Sequence, residues 1–157
     1  MNRILSTVLM PLFLMLACSS TEIGAGRDDS KKEMKTTGTI CIEAGGRTFT
    51  ATLADNSSAA ALASLLAKGD ISINMEDYAG MEKVGPLGST LPRNDAPIHT
   101  QPGDVILYQG NMFVIYYGTN SWPLTRLGHI DNVTPAELKA ALGSGNITVT
   151  ISLGHKQ

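Results

Sequence analysis

The stretch DVILYQGNMFVIYY, Asp104 to Tyr117, contains two apolar runs, Asp104 to Gln109 and Met112 to Tyr117. Both runs are rich in Val, Ile, Tyr and Phe, which is typical of β-strands. Gly110-Asn111 lies between them, and a glycine at the first central position favours a type II′ turn. The stretch therefore predicts an antiparallel β-hairpin.

The flanking sequence predicts further strands. In Arg47 to Leu53, Phe49, Ala51 and Leu53 alternate with threonines, and a Gly-Gly turn precedes them, which indicates a hairpin with one buried face. The other predicted strands are Thr39 to Glu43, Ile71 to Met75, Leu124 to Ile130 and Ile147 to Leu153.

Two short helices interrupt this strand pattern. Ala59 to Leu66 is rich in helix-forming residues, and the polar residues 55–57 before it offer N-cap oxygens. The second helix is indicated by Thr134 as N-cap, Pro135 as its first residue and Glu137 as the capping-box carboxylate. Many short strands without a regular βαβ rhythm favour a mainly antiparallel sheet rolled into a barrel, with the helices capping its ends.

The longest segment without a regular pattern is Tyr78 to Gly103, which is punctuated by glycines and prolines. It contains the second half of MEDYAGMEKVG, Met75 to Gly85. A segment of this kind is either a loop that carries a functional site or an ordered crossover that covers one end of a barrel. The sequence leaves both interpretations open.

The N-terminus resembles a bacterial lipoprotein signal peptide over residues 1–17. Arg3 precedes an apolar run too short to span a bilayer, and MLAC places the small Ala17 before Cys18. We expect Cys18 to carry the lipid that attaches the protein to a membrane of the bacterial cell envelope, at the outer membrane or cell surface. The alternative is an ordinary secretory peptide cut elsewhere, with Cys18 incidental.

Residues 18–35 are small, polar and charged, and we interpret them as a flexible tether. Residues 36–157 are long enough for a single domain with its own core. The net charge of −2 and the lack of a basic cluster argue against nucleic acid as a partner.

No established catalytic or metal-binding motif is present. His99, His129 and His155 are scattered without ligand spacing, so the sequence predicts no metal and no cofactor. No nucleophile elbow occurs. Cys41, alone once Cys18 is lipidated, is expected to be a small sheet or core residue rather than a reactive thiol.

The remaining candidates are polar and aromatic residues at loop edges. Arg126, within SWPLTRLG, must direct its guanidinium to a barrel mouth or to a carboxylate. Glu82 and Lys83 are its possible partner or rival, and Trp122 could simply cover a barrel end. Arg126 is also the one candidate catalytic residue. The ligand-binding candidates are Met81, Glu82, Lys83, Tyr108, Phe113, Tyr116, Trp122 and Arg126.

Four stretches together resemble the bacterial cyclophilin-like domain family: DNSSAAALASLL, MEDYAGMEKVGPL, LPRNDAPIHTQPGDVILYQGN and NSWPLTRLGHI. The resemblance runs from about Thr39 to Leu153. It implies a closed eight-stranded antiparallel barrel with a helix over each end. True cyclophilins are prolyl isomerases that use an Arg guanidinium, but their Phe-His-Arg and Gln-Gly-Gly-Asp motifs are not found here. The resemblance therefore gives Arg126 no catalytic role.

Three functions remain, in descending order of preference. The first is a binding module for a peptide, an envelope protein or a small ligand. The second is a prolyl isomerase with a rearranged site, using Arg126 beside a pocket of Met81, Phe113 and Trp122. The third is a purely structural envelope lipoprotein, with a filled barrel and no open pocket.

Overall fold

The computed structural model describes residues 38–154. This part of the chain forms nine strands and two helices. The strands are β1 (Thr39–Ala44), β2 (Arg47–Leu53), β3 (Ile71–Tyr78), β4 (Glu82–Pro86), β5 (Ala96–His99), β6 (Asp104–Tyr108), β7 (Met112–Tyr116), β8 (Ser121–Ile130) and β9 (Ile147–Leu153). The helices are α1 (Ser57–Leu66) and α2 (Pro135–Leu142).

Eight of these strands close into an antiparallel barrel. Their order is β2-β1-β9-β3-β4-β7-β6-β8, and β8 pairs back onto β2. The first and last strands pair, with Ile42 opposite Ile151, so their edges are not exposed. The ninth strand, β5, pairs with the first half of β8 in a separate small sheet. The predicted mainly β fold, a closed eight-stranded barrel with two helices, is confirmed.

The two helices lie at opposite ends of the β1–β2 hairpin. α1 starts just after Leu53, at the open end of the hairpin. α2 packs on the hairpin turn, where a Cβ on Gly45 would lie 2.0 Å from the Ala141 carbonyl oxygen. Both helices insert leucines into the core formed by the inward faces of the strands. The barrel interior is therefore filled with side chains.

Both predicted helix starts are confirmed. The Asn56 side chain accepts a 2.8 Å hydrogen bond from the Ala59 N–H. Thr134 and Glu137 form the reciprocal capping box, with Pro135 as the first helical residue. Such caps are worth about 1 kcal/mol each, because they satisfy amide groups that the helix itself leaves unpaired.

The structure corrects the prediction that Tyr78 to Gly103 lacks regular elements, since this segment contains β4 and β5. The prediction failed at β4 because its sequence, EKVGP, shows no apolar alternation. Lys83 takes an inward position there, and a Cβ on Gly85 would lie 2.3 Å from the Asn74 carbonyl oxygen on β3. MEDYAGMEKVG is consequently the β3–β4 hairpin, not a loop.

The turn of the β6–β7 hairpin is also displaced from its predicted position. The hairpin is confirmed, with Tyr108 opposite Met112. However, its central residues are Gln109 and Gly110, both with positive φ, and the Asn111 N–H bonds to the Tyr108 carbonyl at 3.3 Å. Two positive φ values are the requirement of a type I′ turn, not of the predicted type II′ turn.

The predicted signal peptide, the lipidated Cys18 and the tether lie outside the described residues. Within residues 38–154, no helix is long and apolar enough to cross a membrane. Cys41 lies half-buried on β1 without a disulfide partner in that range.

Candidate functional site

The outer face of the barrel carries a second apolar cluster, separate from the core. Successive residues of a strand point to opposite faces. On β7, Phe113 and Ile115 therefore belong to the core, while Val114 and Tyr116 join Ile106 and Leu124 outside it. Ile98 of β5 packs against this outer cluster, so β5 and the first half of β8 partly cover it.

A cavity of about 530 Å³ opens over this outer cluster. Its volume falls within the range of small-molecule sites, roughly 300–1,000 Å³. It follows β4 and β7 over about 13 Å, the length of a five-residue strand. The described residues that line it are Tyr78, Met81, Glu82, Val84, Tyr108, Gln109, Met112, Val114, Tyr116, Asn120, Trp122 and Leu124.

Each end of the cavity is formed by a tight turn with a tyrosine at its start. Tyr78 precedes Ala79 and Gly80 at one end, and Tyr108 precedes Gln109 and Gly110 at the other. In both turns the two central residues have positive φ, which is unusual for the Ala and the Gln. These turns leave both tyrosines exposed beside the cavity. Trp122, which also lines the cavity, is 58% exposed.

Among the described residues that line the cavity, Glu82 is the only one with a carboxylate, and it is buried, with 8% of its surface exposed. Its Oε2 atom is inaccessible to solvent and has no hydrogen-bond partner. Burial raises the pKa of Glu82, and hydrogen bonding with Tyr116 opposes this shift only in part. A buried acceptor without a hydrogen-bond partner is energetically costly.

Tyr116 and Asn120 complete the polar end of the cavity. Burial, followed by the neighbouring Glu82 carboxylate, raises the pKa of Tyr116 to about 12, so its hydroxyl stays protonated. The Asn120 Nδ2 donates to that hydroxyl at 3.3 Å. Asn120 is itself fixed by Thr100, whose Oγ1 accepts from the Asn120 N–H at 2.8 Å. Tyr116 is the cross-strand neighbour of Glu82, so Glu82, Tyr116 and Asn120 lie at the same end of the cavity.

Lys83 follows Glu82 in the chain but lies inside the barrel, fully buried. Its Nζ lies 2.7 Å from an Asp77 carboxylate oxygen and also donates to the Gly145 carbonyl. Asp77 further accepts from the Tyr117 hydroxyl and the Gly145 N–H. The bonds of Lys83 and Asp77 to Gly145 join the β3–β4 hairpin to the segment between α2 and β9. The contacts of Lys83 are therefore structural.

Arg126 does not line the cavity. Its guanidinium donates to the Asp104 carboxylate at 2.9 Å, and the other Asp104 oxygen lies 2.9 Å from the His129 Nδ1. The Gln101 N–H also bonds to Asp104, which is buried. The carboxylate that holds Arg126 is therefore Asp104 on β6, and not Glu82.

The structure brings five of the eight predicted ligand-binding candidates together in the cavity: Met81, Glu82, Tyr108, Tyr116 and Trp122. It places Phe113 in the core, Lys83 inside the barrel and Arg126 on Asp104. Among residues 38–154, no three His, Cys, Asp or Glu side chains converge as a metal site would need.

Sequence reasoning missed seven lining residues: Tyr78, Val84, Gln109, Met112, Val114, Asn120 and Leu124. For Val114, the sequence does contain a pattern that indicates burial on the outer face. The β7 run is apolar on both faces, which in an antiparallel barrel indicates that something covers the outer face as well. For Asn120 and Gln109 no pattern in the sequence points to the cavity.

The closed barrel with helices at its ends and a cavity outside defines a cyclophilin-like protein. Residues 42–152 match the Cyclophilin-like family, and the chain belongs to that family. No curated protein shows significant similarity to the chain.

Two solved structures share the fold. The hypothetical protein AF2241 from Archaeoglobus fulgidus aligns with a TM-score of 0.55 at 14% identity, over 78% of this chain and 99% of its own. McbB in complex with tryptophan aligns with a TM-score of 0.51 at 20% identity, over 75% of this chain but only 45% of its own. At these identities the likeness concerns the fold alone.

Proposed function

We propose that this protein is a lipid-anchored binding module of the bacterial cell envelope, which takes a small ligand or a peptide side chain in its outer cavity. The observation that carries the proposal is the buried, unpartnered Oε2 of Glu82 in the wall of a cavity of about 530 Å³. A folded protein rarely leaves such an acceptor unpaired without a functional reason.

The apolar lining supports binding over a purely structural role. Val84, Val114 and Leu124 form its floor, and exposed Tyr78 and Trp122 stand beside it. Exposed aromatic residues around an apolar pocket with few polar groups are the usual composition of ligand sites. An envelope protein without a ligand has no need of this arrangement.

Binding is also favoured over prolyl isomerisation. The isomerase alternative needs the Arg126 guanidinium beside an apolar pocket. That guanidinium bonds to Asp104, and Arg126 is not among the lining residues. Phe113, one of the three residues predicted to form the isomerase pocket, is fully buried in the core.

The test uses Trp122, the only tryptophan of the 157-residue chain, as a fluorescent reporter of the cavity. We expect phenethyl alcohol to change its emission saturably in the purified full chain, with a Kd on the order of 1 mM for so small a probe. Free tryptophan, the ligand in the McbB structure, is tested by calorimetry.

Val84→Phe fills the cavity floor and should abolish the phenethyl alcohol response. Val133→Phe is the matched control, because Val133 is also half-buried but lies away from the cavity. A linear, unsaturable response in wild type, or equal saturable responses in the two variants, would reject the cavity as a binding site.

The lipid anchor has its own test. We expect the chain, expressed in a bacterial host fed an alkyne-labelled palmitate, to become labelled and to fractionate with membranes. Cys18→Ser should lose the label, whereas Cys41→Ser should keep it. Labelling that persists in Cys18→Ser would contradict anchorage through that residue.

A further inference from the structure

The described residues that line the cavity include the buried Glu82 carboxylate but no positively charged side chain. Of the twelve described residues that line it, none is Lys, Arg or His, and Glu82 is the only ionisable carboxylate. The nearest lysine in sequence, Lys83, is committed to Asp77 on the other face of β4. The described residues that line the cavity therefore supply no positive charge to complement Glu82.

An anionic ligand does not suit this cavity. A carboxylate or phosphate would meet the Glu82 carboxylate in a site without a compensating cation, and like charges at short range are strongly unfavourable. A neutral ligand could donate a hydrogen bond to the Glu82 carboxylate. An ammonium would supply both the N–H donor and the opposite charge, and charge-assisted hydrogen bonds are about twice as strong as neutral ones.

The rest of the lining indicates what carries the ammonium. Tyr78, Tyr108 and Trp122 expose aromatic surface around the cavity, at 60%, 38% and 58%. Aromatic faces attract cations and pack against other rings. Met81 and Met112 add polarisable thioethers that adapt to ring edges. Val84 and Val114 supply a flat apolar floor between the two turns.

We propose that the ligand of this cavity is a small primary or secondary amine on an aromatic body, with its ammonium beside the Glu82 carboxylate and its ring held between the Val84–Val114 floor and Trp122. This inference rests on the proposed function, because it names the ligand class of the same cavity. The Tyr116 hydroxyl, which accepts a hydrogen bond from Asn120, lies at the Glu82 end of the cavity, because Tyr116 is the cross-strand partner of Glu82.

The test compares three probes of nearly equal shape by Trp122 fluorescence in the purified full chain: phenethylamine, phenethyl alcohol and 3-phenylpropionate. We expect phenethylamine to bind at least tenfold more tightly than the alcohol, and 3-phenylpropionate more weakly than both. In Glu82→Gln the ratio of amine to alcohol affinity should fall to about one. In Glu43→Gln, an exposed glutamate of β1 outside the cavity, the ratio should stay at the wild-type value.

Equal affinities of amine and alcohol for wild type, or an undiminished ratio in Glu82→Gln, would overturn the amine assignment while leaving the binding module intact. Binding by none of the three probes would overturn the proposed function itself. Nα-acetyl-lysine amide is the probe that distinguishes a free aromatic amine from a protein lysine side chain as the ligand. We expect it to bind more weakly than phenethylamine, and equal or tighter binding would overturn the assignment to an aromatic amine.

Discussion

Glu82 and Lys83 are neighbours on β4, yet their charged groups lie on opposite faces of one strand and never meet. Lys83 points into the barrel and is paired with Asp77 at 2.7 Å, whereas Glu82 faces the outer cavity with its Oε2 unpartnered. The fold therefore pairs one of the two adjacent charges and leaves an oxygen of the other without a hydrogen-bond partner. The binding proposal depends on this difference.

Removing the Glu82 charge should stabilise the ligand-free protein at neutral and alkaline pH. Burial holds the folded-state pKa of Glu82 above its ordinary value of 4.5, so between that value and the raised pKa the folded state binds more protons than the unfolded state. The wild-type free energy of unfolding should then fall as the pH rises through the window. Glu82→Gln has no carboxyl group to ionise, so we expect its free energy of unfolding to exceed that of wild type by about 1 kcal/mol at pH 8.

The measurement is urea denaturation at pH 4 and pH 8, with Glu43→Gln as the control. The advantage of Glu82→Gln should be largest at pH 8 and shrink towards pH 4. A variant that is less stable than wild type at pH 8 would show that the carboxylate has a stabilising partner in the folded protein.

Asp77→Asn should destabilise the protein at neutral pH, because it leaves the buried Lys83 ammonium without its counter-ion. The pKa of Asp77 lies below its ordinary value of 3.8, chiefly through the hydrogen bond from Lys83. This stabilisation is complete above the ordinary value and is lost as the pH falls through the folded-state pKa. The difference between wild type and Asp77→Asn should therefore be full at pH 7 and vanish in strong acid.

Thermal unfolding between pH 2 and pH 7 measures this difference, and Asp70→Asn, on the exposed segment before β3, is the control. A gap between wild type and Asp77→Asn that stays constant down to pH 2 would contradict the role assigned to the ion pair.

Asp104→Asn should cost more stability than Arg126→Ala. Asp104 is buried and accepts from Arg126, His129 and the Gln101 N–H, so its loss leaves several groups without a partner. We expect about 3 kcal/mol for Asp104→Asn. Arg126 keeps its side chain 41% exposed, and its removal should cost about 1 kcal/mol.

Both variants are compared by urea denaturation, and Arg126→Ala is also titrated with phenethyl alcohol. Its affinity should match wild type, because Arg126 does not line the cavity. A large loss of affinity in Arg126→Ala would show that Arg126 contributes to ligand binding.

The sequence was sufficient for the barrel because local signals agreed there. Period-two alternation in β2 and β9, the capping box at Thr134 and the apolar β6–β7 hairpin all predict their elements correctly. β4 is not predicted because its inward position holds Lys83, a charge that is stabilised by Asp77, its cross-strand partner on β3, and by the Gly145 carbonyl. Contacts made between segments in this way leave no apolar alternation in the sequence.

The cavity was harder to predict for the same reason. Tyr108, Tyr116 and Trp122 stood out as aromatic residues at loop edges, but β5 and the start of β8, which fold over the outer face, were not recognised as a paired unit. Without that cover, the sequence does not indicate which face of β7 lies beside the cavity. Phe113, proposed for an apolar pocket with Met81 and Trp122, is one residue away from the outward-facing Val114.

Methyl NMR of the isotope-labelled full chain, titrated with phenethylamine, tests the central claim most directly. The claim predicts shift changes at the outward-facing Val84, Val114 and Leu124, with little change at the inward-facing Ile42, Ile115 and Ile151. Changes centred on the inward-facing methyl groups, or none at saturating phenethylamine, would contradict a ligand site on the outer face of the barrel.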